Sequence, residues 1–503
     1  MVTKKPRVAI VGAGIAGLAA AHRLHTTNPD LFDLCVIEAG DRIGGRIHTS
    51  EFAGERIEMG ATWIHGTRGC PIYDIAEKIN ALDHLRPYES MDGLPTDPIT
   101  VAEGGAVVDF SILKPISDLY TSLMDTVESG ALPAGAGPGV GSFLRRALET
   151  FRASRQAPDL SLGGDWTVEA MEDAVFAMKE NVFRVHTSAD DLDDMDLASE
   201  TEYREFPGEH ISIAKGYSRV IEHLAAEFPP GTIQLGRKVR LVEWCSDGGG
   251  ASPAPKEGPV RLVLDDRSVV SADHVILTVS LGVLKASLEE EDANSKGWLG
   301  FNPGLPSFKR DAIERLGFGV VDKLFMELAS GEEGEFPYME MAFHPGGHVA
   351  KIPWWMRRSP SIWPIYGGSR VLLTWFVGKE AAEMERMTED DIISGLHATL
   401  EGFGAHTRVV KRVTRSTWGS DPLFMGSYSY VAVGSSGHDL DLIAEPLPRG
   451  GAHDGTAAAP PLQLLFAGEA THRTYYSTTR GAYFSGIREA NRLIEAYLNV
   501  DVN

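Results

Sequence analysis

The sequence predicts an α/β protein in which a Rossmann-like domain is assembled from three separated segments of the chain, with a second domain inserted between them. Two observations support this fold class. The first 85 residues follow the order strand, glycine turn, helix, strand, which is typical of a nucleotide-binding unit. Strand-like runs of similar buried character recur in the middle of the 503-residue chain and near its end.

The elements of the first unit are each indicated by composition. Residues 7–11 form a short β-branched run, residues 15–24 are rich in Ala and Leu and predict a helix, and residues 33–37 predict a second buried strand.

The middle of the chain predicts further strands. Residues 238–244 and 261–264 are expected to pair as a hairpin, and residues 274–279 are almost continuously apolar, as in a strand that is covered on both faces. Three stretches rich in Gly, Pro and small residues are predicted surface loops: 131–141, 247–258 and 448–460.

Composition and charge narrow the class of protein. Hydrophobic residues make up 43% and charged residues 23% of the chain, which is ordinary for a globular protein. The formal net charge is −23, which argues against a nucleic-acid partner and favours a cationic one. Acidity that only aids solubility is the alternative explanation.

Targeting and redox signals are sparse. Three cysteines do not make a disulfide framework, so we expect a reducing compartment. We see no leader peptide, no run of ~18 apolar residues, and no targeting tripeptide in Asp501-Val502-Asn503. A cytoplasmic protein with no membrane partner is expected; the oligomeric state is left open.

The strongest motif is Gly12-x-Gly14-x-x-Gly17, which lies between the first strand and the first helix. Its glycines permit a tight turn, a close approach to a pyrophosphate, and packing of the helix on the strand. Glu38 ends the second strand 21 residues after Gly17, where a carboxylate can accept hydrogen bonds from an adenosine ribose. Together these features predict dinucleotide binding.

The segment after Glu38 favours FAD over NAD. It contains a second glycine pair and two arginines, Arg42 and Arg46, and an arginine there can neutralise the flavin phosphate. The pattern E-x-x-x-R-x-G-G-R, followed by G-A-T-W-I-H-G at 60–66, resembles the flavin-containing amine oxidases. Four later segments agree: 281–285, 319–325, 418–434 and 466–471. The resemblance is closest to polyamine oxidases of the cytosolic plant type, which are similar to animal spermine oxidase.

This resemblance implies a discontinuous, Rossmann-like FAD-binding domain interleaved with an α+β substrate-binding domain. The expected FAD-binding segments are 1–84, 212–303 and 420–503, and the expected substrate-binding segments are 85–211 and 304–419.

The resemblance also implies a set of cofactor-binding residues. Glu38 is expected at the adenosine ribose, Arg46 at the pyrophosphate, the Val239 backbone at the adenine, and Glu469 at the flavin-side phosphate or ribityl chain. The other expected members of the set are Gly12, Gly14, Gly17, Gly60, Ala61, Thr62, Trp63 and Trp418. No Cys lies in the C-terminal segment, so the FAD is expected to be non-covalent, and no metal site is predicted.

Two catalytic residues are implied. Lys323 lies in a mostly apolar strand-like run; a lone lysine in a strand usually faces solvent, but in this family the matching lysine holds a water against flavin N5. His65 stands where the plant extracellular polyamine oxidases have Glu, and it is expected either to hydrogen-bond the substrate's secondary amine or to support the site indirectly.

Substrate contacts are expected from an acidic run at 190–209. Within it, Glu205 and Phe206 match the family's substrate position, whereas residues 190–196 are equally well explained as a solvated helix face. Tyr428 is expected beside the substrate, and Thr478 replaces the second aromatic residue that the plant extracellular enzymes place opposite it. Ser477 and Thr478 are expected at the distal part of the substrate.

The implied reaction is oxidation of spermine or thermospermine to spermidine, 3-aminopropanal and hydrogen peroxide, in the back-conversion mode. The alternatives are a histone-lysine demethylase, an amino-acid oxidase, a protein that acts mainly as a dehydrogenase, and a non-catalytic FAD-binding or polyamine-sensing protein.

Overall fold

The structure, a computed structural model, describes residues 5–82, 98–156, 158, 160–245, 258–289, 297–330, 334–347, 351–449 and 462–498. The described strands are β1 Arg7–Val11, β2 Asp33–Ile37, β3 Thr49–Phe52, β4 Glu55–Glu58, β5 Trp63–His65, β6 Ile99–Ala102, β7 His210–Ser212, β8 Ile233–Gln234, β9 Val239–Glu243, β10 Val260–Leu264, β11 Val269–Ala272, β12 His274–Leu277, β13 Gly300–Asn302, β14 Gly317–Gly319, β15 Val321–Leu328, β16 Met339–Ala342, β17 Ser361–Pro364, β18 Val371–Val377, β19 Val410–Arg415, β20 Tyr428–Tyr430 and β21 Leu464–Phe466.

The described α-helices are α1 Ile15–Thr27, α2 Pro71–Lys78, α3 Phe110–Ser129, α4 Val140–Ala153, α5 Val168–Thr187, α6 Ser218–Ala225, α7 Leu281–Ala286, α8 Ser307–Arg315, α9 Lys379–Arg386, α10 Glu389–Gly402, α11 Gly437–Ala444 and α12 Thr479–Leu498.

A five-stranded parallel sheet in the order β21-β12-β1-β2-β8 forms the centre of the nucleotide-binding part. Its strands come from three distant parts of the chain, as predicted. Alternate side chains of β1 enter opposite cores: Val8 and Ile10 pack in one, and Ala9 and Val11 in the other. The sheet is therefore buried on both faces, which explains its nearly continuous apolar strands.

The predicted elements of this part are confirmed with small shifts. The strands at 7–11 and 33–37 have the predicted bounds, and α1 continues three residues past its predicted end at 24. Strands β9 and β10 form the predicted antiparallel hairpin, and the apolar strand at 274 ends at Leu277.

A second, six-stranded sheet has the order β19-β15-β18-β17-β16-β6. Strand β15 lies between β18 and β19 and pairs antiparallel with both. Helices α9 and α10 contribute to the core on this sheet, and helices α3 to α5 form a further core against β6 and β16. The domain boundaries near residues 84, 211, 303 and 419 stay a prediction.

The loop predicted at 131–141 is shorter than expected, because α4 begins at Val140. The carboxylate of Asp193 accepts a hydrogen bond from the Ser142 backbone N–H, so a distant side chain satisfies a free amide of the first turn. The predicted loops 247–258 and 448–460 fall almost entirely outside the described residues. Across the described ranges, no helix combines the length and apolar character needed to cross a membrane.

Candidate active site

One large cavity of about 1000 Å³ extends from the glycine turn after β1 to the acidic segment after α5. Of the predicted site residues, it is lined by Gly12, Gly14, Glu38, Arg46, Gly60, Ala61, Thr62, Trp63, His65, Glu205, Val239, Lys323, Trp418, Tyr428, Glu469, Ser477 and Thr478. The fold therefore brings together residues from almost the whole length of the chain. Gly17 and Phe206 are the two predicted site residues that do not line it.

The glycine turn provides a cradle at one end of the cavity. Gly12 has φ +107°, and a Cβ at this position would lie 2.4 Å from Oγ1 of Thr278. A Cβ at Gly14 would face the Cα of Gly45 at 3.9 Å, and α1 begins without a side-chain cap. The free N–H groups of its first turn can therefore donate to a phosphate.

Gly17 supports this turn from behind. A Cβ at Gly17 would lie 2.1 Å from the carbonyl oxygen of Gly12, so only glycine lets α1 pack this closely on the turn. Gly17 lies outside the cavity wall, which fits the packing role expected of this glycine; its contact with the cofactor stays a prediction.

Glu38 connects the glycine turn to the segment after β2. Its Oε2 accepts a hydrogen bond from the Ala13 N–H at 2.7 Å, and its Oε1 accepts one from the Gly40 N–H at 2.7 Å. Each oxygen keeps a second lone pair, so this carboxylate can also accept from ribose hydroxyl groups.

Arg46 and Glu469 form an ion pair in the cavity wall, with 3.0 Å between Arg46 Nη1 and Glu469 Oε1. Arg46 Nη1 also donates to the carbonyl of Ser427 at 2.7 Å. The other oxygen of Glu469 accepts from the backbone N–H of Ser477 at 2.9 Å and from Ser429. The guanidinium is thereby held in place with further N–H groups that can donate to an anion.

Lys323 points from β15 towards β4 and the chain after it. Its Nζ donates to the carbonyl oxygens of Glu58 and Gly60 at 2.8 and 2.6 Å, and to Oγ1 of Thr62. Removal from bulk water lowers the pKa of Lys323 to about 8, and the attraction of Glu58 opposes this shift. The lysine is therefore an inward-facing residue that can hold or release a proton near neutral pH.

The neighbouring Asp322 anchors Trp418. Oδ1 of Asp322 accepts from the backbone N–H of Trp418 at 3.0 Å and from Ser416 at 2.7 Å, and the Trp418 indole donates to the Met59 carbonyl at 3.1 Å. A Cβ at Gly60 would lie 3.1 Å from the Trp418 ring and 1.9 Å from the Arg46 carbonyl. Only glycine therefore lets the chain at position 60 pass between Arg46 and Trp418.

The opposite end of the cavity is acidic. Glu205 lines it as predicted, and it is joined by Glu128 from α3 and by Glu200, which sequence reasoning did not single out. Burial raises the pKa of Glu200 to about 7, and the Tyr476 hydroxyl donates to its Oε1 at 3.2 Å. The acidic run at 190–209 was the signal that could have identified Glu200; no sequence pattern marked Glu128.

Two residues in the first part of that acidic run make structural contacts. Asp190 forms ion pairs with Arg184 at 2.9 Å and Arg358 at 3.2 Å, and Asp193 caps the start of α4. Asp191, Asp193 and Asp194 are exposed, so the solvated face expected for residues 190–196 fits part of the segment, and Asp190 and Asp193 also hold neighbouring elements together.

His65 occupies the end of β5 and lies directly opposite His210 of β7. Their Nδ1 atoms are 2.9 Å apart. Burial lowers the pKa of His65 to about 3, with smaller contributions from His210, His186 and Arg480. His65 is therefore a neutral imidazole at physiological pH. His210 was not predicted, because its pairing with His65 depends on a contact between distant strands.

Phe206 does not line the cavity, and its expected contact with the substrate stays a prediction. Its ring stacks on Tyr475, with 5.3 Å between centroids and an interplanar angle of 20°, and the Arg480 guanidinium lies 5.5 Å from its centroid. Glu205 therefore lines the cavity while the Phe206 ring packs against Tyr475.

Three hydroxyl groups complete the wall. The Tyr428 hydroxyl donates to the Val185 carbonyl, Ser477 Oγ donates to the Ser429 carbonyl at 2.8 Å, and Thr478 Oγ1 donates to the Tyr475 carbonyl at 2.6 Å. Because each hydroxyl hydrogen is used by the protein, these groups present lone pairs to the cavity.

The geometry fits FAD. A glycine cradle at a helix N-terminus, an arginine, and a carboxylate that can accept from ribose hydroxyl groups line one cavity together with the stretch from Gly60 to Trp63. In this arrangement Arg46 and the start of α1 would hold the pyrophosphate, and Lys323 and Trp418 would lie at the flavin ring.

Comparison with known proteins agrees with a flavin site in this cavity. The family model for "Flavin containing amine oxidoreductase" matches residues 15–494. The chain is 53% identical to "Polyamine oxidase 1" of Oryza sativa subsp. japonica, over 99% of this chain and 98% of the relative. It is 44% identical to "Probable polyamine oxidase 5" of Arabidopsis thaliana, over 98% and 99% of the two chains. It is 33% identical to "Peroxisomal N(1)-acetyl-spermine/spermidine oxidase" of Bos taurus, over 97% and 94%.

The cavity geometry and these matches lead to the same conclusion. The chain belongs to the flavin-containing amine oxidoreductases and is an FAD-dependent oxidoreductase.

Proposed function

We propose that this protein oxidises a polyamine, spermine or thermospermine, to spermidine, 3-aminopropanal and hydrogen peroxide. The observation that carries the proposal is the position of three carboxyl groups, those of Glu128, Glu200 and Glu205, in the same cavity as Lys323 and His65. When bound, FAD supplies the hydride acceptor and passes the electrons to dioxygen.

The acidic end recognises the charge of the substrate. A polyamine carries several ammonium groups at neutral pH, and each carboxylate at a few ångströms contributes ~1–4 kcal/mol of attraction, depending on the local dielectric. An approaching ammonium group also favours the ionised form of Glu200, whose pKa is raised to about 7 in its absence. Binding and ionisation therefore support each other.

His65 acts on the amine that is oxidised. A secondary amine must be neutral before its α-carbon can release a hydride equivalent, because the nitrogen lone pair stabilises the developing cation. A neutral imidazole can accept a hydrogen bond from the ammonium and so orient the nitrogen for loss of its proton. The low pKa of His65 keeps it in this accepting form.

Lys323 holds the chain beside the flavin. Its three contacts fix the segment from Glu58 to Thr62, and with a pKa of about 8 its Nζ can exchange a proton with water during turnover. Because nothing in this role requires a bond between Nζ and the substrate, no Schiff base is involved.

The relatives support the substrate class, since two are named polyamine oxidases and one is named for N(1)-acetyl-spermine and spermidine. We propose non-covalent FAD, the interleaved two-domain arrangement, and a cytoplasmic location; the Bos taurus relative is named peroxisomal.

The charged side chains of the cavity wall support an amino-acid oxidase less well than a polyamine oxidase. Its substrate carboxylate needs a cation, but Lys179 is paired with Glu340 at 3.2 Å and Arg204 donates to the carbonyls of Thr201 and Tyr203. A peptide-directed demethylase and a dehydrogenase remain outcomes of the test.

The test is anaerobic reduction of the bound flavin, followed by its absorbance, with spermine, thermospermine, spermidine and their N-acetylated forms. Rapid bleaching by spermine or thermospermine, with spermidine as the product, is expected. Bleaching by methylated histone peptide alone would support a demethylase, and no bleaching by any amine would support a binding protein. Reduction without peroxide on admission of air would identify a dehydrogenase.

A further inference from the structure

We infer that His210 is a positioning residue that sets which nitrogen of His65 carries the proton and transfers that proton towards Glu205. The inference rests on the proposed oxidation of an amine beside His65. His210 belongs to the wall of the same cavity, and nothing in the sequence motif around His65 includes it.

The geometry is a chain of three side chains. Strands β5 and β7 pair so that His65 and His210 are directly opposite, and their Nδ1 atoms are 2.9 Å apart. The other ring nitrogen of His210, Nε2, lies 3.5 Å from Oε2 of Glu205. The side chains of His210 and Glu205 are 37% and 42% exposed, so this end of the chain of side chains is open to water.

The contacts of His65 and His210 indicate which of their ring nitrogens carry a proton. An ionised carboxylate only accepts, so Glu205 favours a proton on Nε2 of His210. A neutral His210 then presents the lone pair of its Nδ1, and the opposing Nδ1 of His65 must be the donor. His65 is left with a lone pair on Nε2, which is the form that can accept a proton from a substrate ammonium.

The same chain can carry the proton away. The ammonium proton moves to Nε2 of His65 as the proton on its Nδ1 moves to His210, and the proton on Nε2 of His210 moves to Glu205 or to water in the cavity. One proton enters and one leaves, and no redox step is involved. Because the pKa of His65 is about 3, far below the ~10 of an alkylammonium, a stepwise transfer would create an unfavourable buried cation; the relay avoids its accumulation.

Other charged and titratable groups surround the chain. His186 of α5 interacts electrostatically with both histidines, and Arg480 of α12 donates to the backbone carbonyl of His65. Glu128 of α3 interacts with Glu205, and Tyr203 lies near both Glu205 and Arg480. Arg480 contacts the backbone rather than the ring, so it does not replace His210 as the proton partner of His65.

The experiment compares wild-type holoenzyme with His210→Asn, His210→Leu and the control His223→Asn. An Asn amide can keep a fixed hydrogen bond to His65 but cannot relay a proton, and Leu removes both functions. His223 is a half-buried histidine of α6 whose ring faces His22 at 6.4 Å, away from the cavity. Flavin content, the apparent dissociation constant of spermine and the limiting rate of anaerobic flavin reduction are measured from about pH 6 to about pH 9.

We expect both His210 variants to retain flavin and to lose at least about tenfold in the limiting rate at neutral pH. The loss should shrink towards about pH 9, where more of the amine arrives deprotonated. Added imidazole should restore much of the rate in His210→Leu, and His223→Asn should match wild type.

Three results would overturn the inference. The first is an unchanged pH profile of the limiting rate in both variants, and the second is a uniform loss of that rate at every pH that imidazole does not restore. The third is stoichiometric zinc in the purified holoenzyme, whose chelation removes the difference between wild type and variants. If wild type itself is not reduced by any polyamine, the proposed function fails instead, which is a separate outcome.

Discussion

Arg46 and Glu469 are separated by 423 positions in the chain, yet their side chains meet at 3.0 Å in the wall of one cavity. Glu469 is almost fully buried, and Arg46 is 24% exposed. A buried carboxylate needs a partner, and this one also fixes the direction of the guanidinium. The pair therefore joins the first and last parts of the chain at the position expected for the flavin-side phosphate.

Glu469→Gln should weaken FAD retention more than it changes folding. The amide keeps the size of the side chain but removes the charge that holds Arg46. It also replaces one carboxylate oxygen, a hydrogen-bond acceptor, by an NH2 group, which is a donor. We expect lower flavin occupancy after dialysis, measured by the ratio of absorbance at the flavin and protein bands. Arg219→Gln, which breaks the exposed pair with Glu222, should retain full occupancy; equal losses in both variants would contradict the assignment.

Lys323→Met should leave FAD bound and slow turnover by about 100-fold or more, because the substitution keeps the stem but removes the ammonium that holds the Glu58–Thr62 segment. Stopped-flow measurements of flavin reduction and of reoxidation by oxygen show which half-reaction is affected. The control is Lys411→Met on β19, where the side chain is 62% exposed. Unchanged turnover in Lys323→Met would remove this lysine from the reaction.

Glu205→Gln should raise the apparent KM for polyamines about tenfold while flavin content stays normal, since ~1.4 kcal/mol of lost attraction corresponds to a factor of ten. The matched control is Glu209→Gln, because Glu209 is exposed and lies outside the cavity wall. Loss of flavin or of thermal stability in Glu205→Gln would assign the residue to folding instead.

Polyamine binding should strengthen as the pH rises through about 7, because the raised pKa of Glu200 leaves its carboxyl neutral below that value and ionised above it. The dissociation constant is obtained by titrating anaerobic enzyme with a polyamine analogue that is not oxidised. Glu200→Gln should flatten this pH dependence and bind as weakly as wild type does at low pH. A dependence that survives the substitution would point to a different group.

The sequence predicted the parts of the site that are built from local signals. The glycine turn and the helix after it are encoded by adjacent residues, and the inward direction of Lys323 followed from a family match that local strand propensity alone would have contradicted. Glu205 and Phe206 were expected as a pair, but only Glu205 lines the cavity, because the Phe206 ring packs on Tyr475. His210 could not be found in this way, since only the pairing of β5 with β7 places it beside His65.

The five-stranded sheet sets an order of events during synthesis. Its outer strand β21 ends at Phe466, and Glu469 follows three residues later. Since chains emerge from the ribosome beginning at the N-terminus, Arg46 is made early, and more than 400 further residues must follow before its ionic partner Glu469 exists. Cofactor capture is therefore a late event, and a nascent chain released before β21 would carry the nucleotide motif without a complete site to use it.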